Sequence, residues 1–101
     1  MLQETGKVIF IGSIERGLSS KTGKSWESQT FVIETNERYP RRIALTLMTE
    51  DRINKASLRE GEVLQVFGFA ASHEYNGNWY TEIQCTDIVD NGRSRFMYPA
   101  I

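Results

Sequence analysis

Few residues in this 101-residue chain have side chains and spacing suited to chemistry. It holds one histidine, His73, and one cysteine, Cys85. A nucleophile needs a base beside it, and a metal needs several ligands at once. Residue alternation puts His73 and Cys85 on opposite faces of one predicted hairpin, so they cannot meet within a subunit. His73 then reads as a surface residue and Cys85 as a core one. The thirteen carboxylates form no pairing that suggests acid–base catalysis. The expectation is a protein that is not an enzyme, with no catalytic residues, no metal and no cofactor.

The segment from Gly17 to Ser25 ends in Gly23-Lys24-Ser25, which resembles the end of a nucleotide-phosphate loop. Its spacing is wrong: five residues, rather than four, separate Gly17 from Gly23. A strand follows in place of the helix whose N-terminus would hold the phosphate. A better reading is a basic arm in which Lys21 and Lys24 contact a nucleic-acid backbone beside Trp26. Single-strand binders combine positive grooves with aromatic platforms on which bases stack. Thr30, Tyr39, Arg41 and Arg42 complete the expected nucleic-acid-binding set. The plainer reading of the same residues is a solvated loop, with Trp26 capping one end of the fold. The nucleic-acid reading requires these cations and rings to share one groove.

The elements that must carry these residues are strands. A first strand reads Gly6-Lys7-Val8-Ile9-Phe10-Ile11, apolar at successive positions from Val8, so both its faces are expected to pack. Gly12 to Ser25 reads as a turn-rich loop. A second strand, roughly Trp26 to Thr35, puts Phe31 and Ile33 on one face and Trp26, Ser28, Thr30 and Val32 on the other. The third, Arg41 to Met48, turns Ile43, Leu45 and Leu47 inward. Thr49 can cap a short helix over about Glu50 to Ala56, with Glu50 and Asp51 suited to its dipole. Glu60-Gly61-Glu62 then turns the chain into a fourth strand.

Asn76-Gly77 is the strongest hairpin signal in the chain. It sets Tyr75 opposite Asn78, and hence Ala70 opposite Ile83 and Gly68 opposite Cys85, on a core face that continues to Val66 and Leu64. The other face carries Phe67, Phe69, His73 and Tyr80 with Glu82 and Gln84. Since no base balances Glu82, Phe67, Phe69 and Tyr80 read as an oligomer interface rather than a nucleic-acid surface. Trp79 is expected to plug one end of the core. Five strands with one helix between the third and fourth is the order of the OB-fold, a Greek-key barrel of mostly β structure; an SH3-like barrel, the rival, usually lacks that helix. The barrel is expected over residues 1–90, with a tail over 91–101 that either is disordered or docks on a neighbouring subunit.

Bulk composition agrees with one small domain. The sequence is 40% hydrophobic and 25% charged, with a net charge of −1. No apolar run is long enough for a membrane span, and Met1 to Thr5 lacks the marks of an export signal, so a cytoplasmic, membrane-free protein is expected. Near-neutrality offers no global attraction for polyanions, but the charge is unevenly placed. Between Arg16 and Arg42 six bases stand against three acids, whereas Glu60 to Asp90 holds six acids and no Lys or Arg.

Several phrases together resemble a family of short uncharacterised bacterial OB-like proteins related in pattern to single-stranded DNA-binding proteins. They are Gly6-Lys7-Val8-Ile9, Lys24-Ser25-Trp26, Gln29 to Thr35, Tyr39-Pro40, Leu45-Thr46-Leu47, Glu60-Gly61-Glu62 and Glu74 to Thr81. The resemblance implies an OB barrel and, as partner, single-stranded DNA or RNA bound with little sequence preference, in a homo-oligomer. A protein–protein adaptor or structural OB module is the alternative. The acidic, apolar-tipped tail of typical single-stranded DNA-binding proteins is not matched by Arg93 to Ile101, which is basic and aromatic.

Overall fold

Alternation of apolar and polar residues builds the sheet, and a computed structural model describes it for residues 1–96. The elements are β1 (Leu2–Ile11), β2 (Glu15–Leu18), β3 (Ser25–Thr35), β4 (Arg42–Met48), α1 (Glu50–Ala56), β5 (Val63–Tyr75), β6 (Asn78–Asp90) and β7 (Arg93–Ser94). Strand β1 pairs antiparallel with β5 through its first half and with β3 through its second. Strands β5 and β6 form a hairpin, β3 pairs with β4, and a parallel contact at Thr46 and Gln84 joins β4 to β6. The path β1-β5-β6-β4-β3 returns to β1. This closed ring of five strands, with α1 between the third and fourth, is the OB-fold.

The ring encloses one core. Phe31, Ile33, Leu45, Leu47, Leu64, Val66 and Ile88 are fully buried, and each stands on the inward face of its strand. Helix α1 closes one end with Ile53 and Ala56. Its cap is the expected one, since Thr49 Oγ1 accepts the Arg52 N–H at 3.3 Å. Cys85 lies in this core, and burial pushes its thiol pKa up to about 12. It is a packing group, not a nucleophile at neutral pH.

Three expectations are corrected. The segment 12–25 is not all loop: Glu15–Leu18 forms β2, paired with Ser25–Ser28 at the edge of β3. The turn between them is tied by Ser19 N–H to Lys24 O and by Gly23 N–H to Ser19 O, both at 2.8 Å. Gly17 and Leu18 follow no apolar alternation because β2 lies outside the core, and pairing alone makes it a strand. Second, the hairpin register holds from Tyr75–Asn78 to Gly68–Cys85, but a bulge between Phe67 and Gly68 then shifts it. Val66 therefore faces Ile88, which keeps both in the core. Third, Trp79 is no plug, being 70% exposed. It sits near the Asn76-Gly77 turn of an arm that runs past the last β1–β5 pair, Leu2 with Gly68. This arm contributes to a radius of gyration of 14.5 Å, against about 13 Å for a compact domain of this length.

The described part of the tail folds back on its own chain. Arg93–Ser94 pairs with β6 as β7. Arg95 donates to Glu62 at 2.7 Å, to Asp90 at 3.0 Å and to the Ala56 carbonyl at 2.7 Å. Phe96 packs against the core under the Arg52 guanidinium. The expectations for residues 97–101 lie outside the described residues. No helix among the described residues is long and apolar enough to cross a membrane.

Candidate functional site

Strand β3 presents its even-numbered residues outward: Trp26, Ser28, Thr30 and Val32. Its neighbours do the same. Gly17 and Glu15 of β2 stand opposite Trp26 and Ser28, and Thr46 and Met48 of β4 stand opposite Thr30 and Ser28. A bulge in β1 after Val8 sets Phe10 opposite Val32, so this large ring also faces out, 51% exposed.

Two adjoining depressions mark this face. A groove of about 500 Å³ is lined by Glu15, Trp26, Ser28, Thr46, Met48 and Glu82. Another, of about 220 Å³, is lined by Phe10, Gly12, Ser13, Glu15, Ser28 and Thr30. They share Glu15 and Ser28, so Trp26 and Phe10 stand on one continuous surface. Trp26 is 41% exposed there. A Cβ built on Gly17 would lie 2.5 Å from Trp26 Cζ2 and 2.7 Å from Cε2. The indole therefore fills the space left by the missing side chain, which fixes the ring without burying it.

Of the seven expected nucleic-acid-binding residues, Trp26 and Thr30 lie on this face and Lys21 and Lys24 on the turn that precedes β3; among the described residues no cation lines the grooves beside Trp26 and Phe10. Lys21 and Lys24 occupy the β2–β3 turn, exposed and with no ion pair among the described residues. Trp26 and Thr30 lie on β3 just beyond them. The other three are elsewhere. Arg42 stands opposite Glu34, eight positions along β3 from Trp26, which is roughly 26 Å at the rise of a strand. Its guanidinium bonds Glu34 at 3.1 Å. Arg41 bridges Glu4 and Glu37, at 2.9 Å each. These hydrogen bonds, to Glu37 first and then Glu4, raise the Arg41 pKa, while Arg41 and then Thr35 hold Glu37 below its usual value. Tyr39, in the β3–β4 connection, stacks under Arg38 at 5.5 Å.

The face also holds residues that pattern reading passed over. Alternation leaves Phe10 on a strand packed on both faces, and only the bulge turns it out. Glu15 lies on β2, where the turn residues predict only a loop. The hairpin aromatics are where alternation puts them: Phe69 is 43% exposed and Tyr80 47% exposed, with Phe67 half-buried. Tyr80 stacks on His73 with ring centroids 5.6 Å apart. Among the described residues, no group of three or more His, Cys, Asp or Glu side chains could hold a metal ion.

Residues 3–88 match the model of the family DUF3127, described as a domain of unknown function. No curated protein matches the sequence. Among solved structures the chain is similar to a mitochondrial single-stranded DNA-binding protein of S. cerevisiae, Rim1. In its Form1 crystal structure the TM-score is 0.63 at 17% identity, covering 87% of this chain and 90% of that one. In Form2 the TM-score is 0.57 at 17% identity, over 87% and 88%. The SSB domain of a Synechococcus sp. protein aligns with a TM-score of 0.57 at 11% identity, over 86% and 90%. At such identities the likeness establishes the fold.

Proposed function

The chain belongs to the DUF3127 family, and we propose that it is a cytoplasmic, non-catalytic protein that binds single-stranded nucleic acid, with DNA as the expected form. The observation that carries this reading is Trp26: a half-exposed indole fixed over Gly17, on the outward face of an OB barrel, beside two unpaired lysines. A base stacked on such a ring contributes about 1–3 kcal/mol, and any base can stack. Lys21 and Lys24 at the adjacent turn supply the cations that a phosphate backbone requires. Arg41 and Arg42 are left out, because each already bonds a carboxylate at the far end of the barrel.

Support also comes from the structures that share the fold, one described as a mitochondrial single-stranded DNA-binding protein and another as an SSB domain. A fluorescence titration with a labelled mixed-sequence oligonucleotide at low and physiological salt tests the reading. Affinity is expected to fall as salt rises. Removing Lys21 and Lys24 together is expected to flatten the logarithmic salt dependence by about 1.4, at ~0.7 per phosphate on a single strand. An affinity indifferent to both salt and these lysines overturns it.

A second reading, self-association or adaptor binding, rests on the β5–β6 arm. Phe69 and Tyr80 stand half-exposed on a two-stranded ribbon, and ribbons with exposed edges and rings favour pairing with another chain. We assign Phe67, Phe69 and Tyr80 to a homo-oligomer contact.

A further inference from the structure

The groove beside Trp26 contains two carboxylates and no cation. Its lining is Glu15, Trp26, Ser28, Thr46, Met48 and Glu82. Both carboxylates are exposed. Among the described residues neither Glu15 nor Glu82 has an ion-pair or side-chain hydrogen-bond partner, whereas Glu4, Glu34, Glu37 and Glu62 each bond an arginine. A phosphate would be repelled from this groove. A base would not, provided its edge offers donors.

We infer that Glu15 and Glu82 read the edges of bases held against Trp26, favouring bases that carry an exocyclic amino group over thymine and uracil. The inference rests on the nucleic-acid reading above and deepens it. An ionised carboxylate is an acceptor only. Cytosine offers it the N4 amino group, guanine the N1–H with the N2 amino group, and adenine the N6 amino group. Thymine and uracil present one N3–H between two carbonyl oxygens, and both oxygens repel a carboxylate. Bases of a single strand are splayed on aromatic rings and read along such edges. A base stacked on Trp26 directs its edge across the groove, whose walls supply Glu15 from β2 and Glu82 from β6. The same negative charge drives the backbone out of the groove, toward Lys21 and Lys24 at the β2–β3 turn. Charge placement thus orients the strand, with its backbone at the lysines and its edges at the glutamates.

Cytosine and thymine make a clean comparison, since both are single-ring pyrimidines and stack on an indole over similar area. The full chain is titrated with labelled oligo-dC and oligo-dT of equal length at one salt concentration. Oligo-dC is expected to bind about five- to tenfold tighter, the lower part of what one good base contact discriminates. In the variant carrying Glu15→Gln and Glu82→Gln the ratio is expected to approach one, chiefly through a gain for oligo-dT, because an amide both donates and accepts. Both substitutions keep side-chain shape at exposed positions, and an unchanged circular-dichroism melting curve checks the fold. Equal or tighter binding of oligo-dT by the native chain overturns the inference and leaves the nucleic-acid reading standing. So does an equal gain for both oligonucleotides in the variant, which would make the carboxylates mere repellers of phosphate. If neither homopolymer binds, both the inference and the reading beneath it fall.

Discussion

Trp26 and Gly17 are cross-strand partners in which the ring of one occupies the volume that a side chain on the other would need. The pair makes the ring's position a property of the backbone. Gly17→Ala would bring a methyl to 2.5 Å from the indole, so the ring must move. The expected result is a shifted tryptophan emission and weaker oligonucleotide binding with little loss of stability, because β2 lies outside the core. Fluorescence and thermal melting of the same variant check both halves.

Trp26→Ala tests the platform directly. Loss of one stacked base is expected to cost about 1–3 kcal/mol of binding, or up to about two powers of ten in Kd. A titration at fixed salt reads it, and binding that is unaltered would remove Trp26 from the site.

Arg42→Ala and Arg41→Ala are expected to leave oligonucleotide affinity unchanged. Both residues stand at the opposite end of β3 from Trp26 and are engaged by Glu34, Glu4 and Glu37. A clear loss of affinity in the same titration would show that the bound strand runs the whole length of the barrel.

Much of this was legible in the sequence. Alternation gave Phe31, Ile33, Ile43, Leu45 and Leu47 their inward positions, and Asn76-Gly77 fixed the hairpin register as far as Gly68–Cys85. Bulges were not legible, since an extra residue in a strand leaves no periodic mark. One turned Phe10 outward and the other re-paired Val66 with Ile88. One of the two carboxylates that engage Arg41, Glu4, is 37 positions away, a pairing that no spacing rule reveals. Strand β2 was missed because it buries little, and with it went the surroundings of both Trp26 and Glu15.

The tail yields a prediction about pH. Burial pushes the Glu62 pKa upward, but the hydrogen bonds from Arg95 and the Arg59 N–H outweigh it and leave the value below the ordinary 4.5. A carboxylate lowered in this way stabilises the fold at any pH above its unfolded value, and that contribution fades as pH falls through the folded one. Stability is therefore expected to drop below about pH 4.5. Arg95→Ala is expected to cost about 2 kcal/mol at neutral pH and to blunt the acid-induced decline. Chemical denaturation across a pH series measures both.

Self-association is expected to depend on the arm. Phe69→Ala combined with Tyr80→Ala should lower the subunit number seen by sedimentation without unfolding the barrel, since both rings lie outside the core. An unchanged mass would move the contact elsewhere.

Strand β3 carries two interleaved messages, one on odd positions for folding and one on even positions for contact with the world outside. Because they alternate residue by residue, inserting a single amino acid there would exchange them, setting Phe31 in water and Thr30 in the interior. Two inserted residues would restore the parity. The strand can thus vary in its choice of outward side chains over generations, but a change of one residue in its length is tolerated only where a bulge absorbs it, as in β1 and the β5–β6 hairpin.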